Sequence, residues 1–81
     1  MAKSSPLYKG DKVLVALGQA IRKLRLESGF SQESLALNSG LDRSYVGSVE
    51  RGENNITIMN LIKIADALGI KTSELLKFSK N

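Results

Sequence analysis

The chain contains no cysteine and no histidine. Without cysteine it forms no disulfide and offers no thiolate to a metal or a substrate. Without histidine it lacks the usual proton carrier near neutral pH. Carboxylates alone can hold a hard cation, but no acidic cluster with ligand spacing occurs. No pair of carboxylates sits where a cleft is expected, so neither a base nor a nucleophile stands out. An enzyme is therefore the weakest reading, and neither a cofactor nor a metal nor a small-molecule ligand is expected. No apolar run has bilayer-spanning length, and no basic n-region leads an apolar stretch as in a secretory signal. These absences point to a cytoplasmic protein without a membrane partner. No strand-like alternation, internal repeat or low-complexity segment occurs either.

What remains is 81 residues, enough for one small domain with a modest core. Residues 1–10, MAKSSPLYKG, mix Ser, Pro, Gly and Lys without periodicity and read as an N-terminal arm. Residues 11–78 read as five helices joined by short links, an all-α domain, and residues 79–81 as a tail. Asp11 can start the first helix, in which Leu14, Leu17, Ile21 and Leu24 recur at helical spacing until Gly29. Phe30, just before Ser31, can act as a hydrophobic staple. Thr57 can cap a fourth helix whose apolar stripe is Ile58, Leu61, Ile62, Ala65 and Leu68, closed by Gly69. Thr72 can cap a short fifth helix carrying Leu75, Leu76 and Phe78.

The stretch between these, SQESLALNSGLDRSYVGSVERG from Ser31 to Gly52, holds two short helical patterns joined through Gly40. That is the sequence form of a helix-turn-helix. Ser31 can cap its first helix, and Leu35 and Ala36 fall on one inner face. Gly40 stands at the sharp turn, where a residue without Cβ reaches left-handed dihedrals at little cost. Leu41 plugs the gap between the helices, and Asp42 can cap the second. Val46 and Val49 face inward, which leaves Arg43, Ser44, Gly47 and Ser48 facing out. A short-chained polar surface with one fork-shaped cation fits the major groove of double-stranded DNA.

The formal net charge is +4, which favours a polyanionic partner only weakly. Its distribution says more. From Ser31 to Asn55 the acids Glu33, Asp42, Glu50 and Glu53 outnumber the bases Arg43 and Arg51. The reading unit is net acidic, and the positive charge lies in the arm, the first helix and the end of the chain.

In order and spacing, IRKLRLESGFSQESLA, SGLDRSYVGSVERGENNITI and LIKIADALGIKTSELL resemble the phage-repressor-like helix-turn-helix domain of the Cro/C1 or XRE type. The resemblance covers roughly two-thirds of the chain, Ile21 to Leu76. Within that family, LDRSYVGSVERG followed by NNITI is most similar to controller proteins of restriction–modification systems. The resemblance implies a five-helix repressor-like domain and a sequence-specific transcription regulator that binds DNA as a homodimer on a palindromic operator. It also implies a phosphate contact from Gln32 and an ion pair between Arg25 and Glu50. One departure stands out: Asn54 occupies a loop position where such proteins often carry a base.

Each residue admits more than one role. Arg43 can pair bidentately with guanine O6 and N7, or stand exposed, or pair with Asp42 or Glu50. Ser44 and Ser48, four apart, can meet base edges, although Ser44 can equally be satisfied locally. Gly47 can allow close approach to the bases or be merely tolerated. Tyr45 can lay its ring on the sugar–phosphate backbone or a thymine methyl, or pack on the domain surface with its hydroxyl wet. Ser31, Asn54 and Asn55 are further phosphate candidates, and the asparagines equally suit turns. The last two helices carry more apolar residues than one small core needs. Met59, Ile62, Leu76 and Phe78 are therefore candidates for a dimer surface, with ordinary core packing as the alternative. An antitoxin-type interaction module that represses its own operon would share this surface, and would add a toxin-binding segment.

Overall fold

The computed structural model describes residues 10–78. The expected arm, apart from Gly10, and the expected tail lie outside the described residues. Within them the chain forms α1 (Lys12–Glu27), α2 (Gln32–Ser39), α3 (Arg43–Glu50), α4 (Ile58–Leu68) and α5 (Thr72–Lys77). No strand occurs among the described residues.

Local chemistry sets most of the boundaries. The Asp11 carboxylate accepts from the backbone N–H groups of Val13 and Leu14, at 2.9 and 3.3 Å. Ser31 and Ser34 cap α2 reciprocally, each hydroxyl accepting the other's backbone N–H at 3.0 Å. Thr57 caps α4 through Asn60 N–H at 3.1 Å. Gly40 closes α2 at φ 73°, and the Leu41 N–H returns to Ala36 O at 2.9 Å.

Two expected caps differ. Asp42 occupies the N-cap position of α3 with extended backbone, but its side chain makes no capping bond. The site is exposed, so water can satisfy the free N–H groups instead. At α5 the N-cap is Lys71, and Thr72 is already the first helical residue. The Glu74 carboxylate, one turn in, accepts from the Lys71 backbone N–H at 3.4 Å.

The centre of the core takes one fully buried side chain from each helix: Ile21, Leu35, Val46, Ile64 and Leu75. Helix α3 packs on α1 and α2, α2 on α4, α4 on α5, and α5 returns to α1. The stripe expected on α4 is rotated. Ile64 is its innermost residue, with Leu61, Ala65 and Leu68 beside it, whereas Ile58 and Ile62 face solvent.

Gly18 sets how closely α1 approaches the end of α3. A Cβ built there would lie 2.4 Å from the Val49 carbonyl oxygen and 2.5 Å from that of Glu50. These are backbone atoms of a packed helix, which cannot swing aside as a side chain can. Alanine would gain about 1 kcal/mol in helix propensity, yet overpacking a core costs about 1–3 kcal/mol. Gly18→Ala is therefore expected to lower the thermal midpoint, measured by circular dichroism. A midpoint at or above that of the wild type would contradict the close crossing.

Candidate nucleic-acid interface

The elements α2, turn and α3 are held to α1 by a polar cluster. Arg25 is buried, and its guanidinium forks onto Glu50: Nε donates to Oε2 at 2.6 Å and Nη2 to Oε1 at 3.0 Å. Nη1 of Arg25 donates to the Phe30 carbonyl at 2.9 Å. The Glu50 Oε1 also accepts from Gln32 Nε2 at 3.0 Å. One buried carboxylate thus ties the end of α3 to α1 and to the first residue of α2. No buried side-chain nitrogen or oxygen among the described residues lacks a hydrogen-bond partner, as a charge held away from water requires.

With Val46, Val49 and Glu50 turned inward, the opposite side of α3 faces solvent. Arg43 and Ser44 stand exposed in its first turn. The Arg43 guanidinium has no ion-pair partner among the described residues, so neither Asp42 nor Glu50 holds it. Gly47 differs from expectation. It is buried, because the Arg51 guanidinium and the Gln32 amide lie over it, 3.2 and 3.6 Å from where its Cβ would stand. Ser48 is half-buried, and its hydroxyl is already engaged. It donates to the Tyr45 carbonyl at 2.8 Å and accepts from Asn54 Nδ2. Asn54 is thereby folded back onto the helix, while Asn55 is exposed.

Tyr45 is half-buried against the core, and its hydroxyl accepts from Asn60 Nδ2 of α4 at 3.1 Å. The Ser31 hydroxyl is part of the α2 cap. Gln32 keeps a second amide N–H beyond the one given to Glu50.

Arg51 is a further exposed residue of this surface. It is four residues after Gly47 and seven after Ser44, a spacing that puts all three on one helical face. Sequence spacing alone could have found it. Its Nε lies 3.2 Å from Glu53 Oε2. The four residues of the expected dimer surface are all exposed: Met59 59 %, Ile62 36 %, Leu76 42 % and Phe78 52 %. Met59 and Ile62 belong to α4, Leu76 to α5, and Phe78 follows α5 as its C-cap; α4 and α5 pack on each other. The described residues hold no cluster of acidic side chains suited to a metal ion, and no helix long and apolar enough to cross a membrane.

A short helix with an exposed Arg–Ser first turn, braced from behind by a second helix and a glycine turn, defines a helix-turn-helix protein. Comparison with known proteins agrees: residues 21–75 match the helix-turn-helix family model. The chain belongs to that family of DNA-binding transcription regulators, which is not an enzyme class. It is 39 % identical over 70 residues to the control protein C.BamHI of Bacillus amyloliquefaciens, covering 85 % of this chain and 86 % of that one. It is 44 % identical over 66 residues to the control protein C.MunI of a Mycoplasma species, covering 80 % and 89 %. Among solved structures, the restriction–modification controller protein C.AhdI of Aeromonas hydrophila superposes with a TM-score of 0.75 at 56 % identity, over 76 % of this chain and 94 % of that one.

Proposed function

We propose that the chain is a cytoplasmic controller protein of a restriction–modification system, a non-catalytic regulator that binds a palindromic operator as a homodimer. Three observations support the reading. The first is the likeness to control proteins along most of the chain. The second is the exposed first turn of α3, with Arg43 and Ser44, where Arg43 has no ion-pair partner among the described residues. The third is the exposed apolar set on α4, on α5 and at the α5 C-cap. In this reading Arg43 reads a guanine and Ser44 a neighbouring base edge. Ser48 retains one acceptor lone pair, whereas Gly47, covered by Arg51 and Gln32, makes no contact of its own. Gln32, Ser31, Asn54 and Asn55 line the phosphate backbone, with Tyr45 contributing its ring edge. Met59, Ile62, Leu76 and Phe78 form the two-fold contact. Footprinting on the DNA upstream of its own gene tests the whole reading. Two protected half-sites about one helical turn apart are expected; no protection there would reject it.

Arg43→Ala isolates base readout. Losing a bidentate contact costs about 1–3 kcal/mol of discrimination. Affinity for the footprinted site should fall by roughly tenfold or more, while affinity for random DNA changes far less. Equal losses on both would make Arg43 a phosphate contact.

A further inference from the structure

Arg51 has no role in the base readout just described, yet from the C-cap of α3 its side chain reaches back along the outward face of the helix. Its guanidinium rests over Gly47, with Nη1 3.2 Å from where a Cβ would stand. A side chain at that position would crowd it, so the glycine makes the seat. Glycine in a helix interior is unfavourable, and the seat gives it a purpose on this face. Beside the same point lies the Gln32 amide, at 3.6 Å. The guanidinium is held there by Glu53, two residues on in the chain, through Nε to Oε2 at 3.2 Å. Both partners remain in contact with water, their side chains 60 % and 34 % exposed.

We infer that Arg51 is a contact to the DNA phosphate backbone, and that Glu53 is the intramolecular stand-in for the phosphate it later binds. The inference rests on the DNA-binding reading above. A carboxylate and a phosphate offer a guanidinium the same kind of anionic oxygens. An exposed ion pair is weak in water, so the exchange faces little resistance. A duplex phosphate has the advantage over Glu53, because neutralising it releases condensed counterions. Binding the phosphate breaks the Arg51–Glu53 pair, and that loss offsets part of the gain. Glu53 therefore lowers affinity for every DNA sequence, through the same arginine that raises it. A phosphate role also fits the place of Arg51. It follows α3 at its C-terminal end, whereas base edges are met by the N-terminal residues of a reading helix.

The test is a double-mutant cycle on Arg51→Ala and Glu53→Gln. Binding is measured against the footprinted upstream fragment and a random-sequence duplex of equal length, across a range of salt. Both residues are exposed or half-exposed, and a melting curve for each variant confirms an intact fold. Arg51→Ala should weaken binding to both duplexes alike, and should reduce the slope of log K against log salt by about 1. Glu53→Gln should tighten binding to both by roughly two- to fivefold, the range of one exposed ion pair. That gain should shrink toward nothing when Arg51 is already alanine. An undiminished gain in the double variant would reduce Glu53 to general repulsion and overturn the exchange. A loss confined to the upstream fragment would make Arg51 a base contact and also overturn it. Either result leaves wild-type operator binding, and hence the proposed function, standing; an absence of operator binding by the wild type would fail the function itself.

Discussion

Glu50→Ala is expected to cost about 3–5 kcal/mol of stability, the range for breaking a buried ion pair from one side. Glu50 accepts both bonds from the Arg25 fork and one from Gln32. Removing it leaves the buried Arg25 guanidinium with the Phe30 carbonyl alone, and leaves a hole where α3 meets α1. A domain of this size loses about 4–8 °C of thermal midpoint per kcal/mol, so the midpoint should drop by more than about 10 °C. Small domains have only about 5–15 kcal/mol in hand, and part of the population should unfold at growth temperature. The compensating variant separates charge burial from packing. Arg25→Met combined with Glu50→Leu removes both charges while keeping volume, and should recover much of the loss. A calorimetric midpoint for Glu50→Ala within error of the wild type would mean that the pair contributes nothing. Equal destabilisation of the single and double variants would assign the loss to packing.

This pair also marks where sequence reading stopped. The inward positions of α1, α2 and α3 follow from helical spacing, and Ile21, Leu35 and Val46 are buried as that spacing requires. The caps at Asp11, Ser31 and Thr57 follow from one side-chain oxygen beside a free N–H. Helix phase sets Arg25, four after Ile21, apart from the exposed Arg22 and Lys23, but it names no partner. Only likeness to a family pointed to its partner, because the contact spans 25 positions. Helix α4 failed differently. Apolar residues fill most of its length, so periodicity leaves its rotation open, and only packing on α2 and α5 selects Ile64 over Ile62. The outward face of α3 was legible at Arg43 and Ser44, whose exposure depends on helix phase alone. It was not legible at Gly47 or Ser48. There the outcome is set by side chains folding in from elsewhere: Arg51 and Gln32 over the glycine, Asn54 onto the serine.

A charged residue in place of Leu76 or Phe78 is expected to give a folded monomer with greatly weakened operator binding. Both side chains are about half exposed in the single chain, so the substitution removes little core, unlike one at the fully buried Leu75. Leu76 on α5 and Phe78 at its C-cap, together with Met59 and Ile62 on α4, form the kind of self-complementary surface that two-fold pairing needs. A single copy brings one arginine-bearing first turn and few phosphate contacts, and its reading unit is net acidic. Two copies double the base contacts and raise the number of phosphates neutralised, which steepens the salt dependence. Loss of pairing should therefore move affinity from the specific toward the non-specific range, on the order of a 10³-fold fall. The patch is small, so the wild-type dimer should itself dissociate on dilution. Sedimentation of wild type and Phe78→Asp well above the concentrations of the binding assay checks both points. The wild type should sediment as a dimer and the variant as a monomer, with an unchanged circular dichroism spectrum. A wild type that stays monomeric there while binding its operator at full affinity would remove the two-fold contact, and would leave one domain reading its site alone.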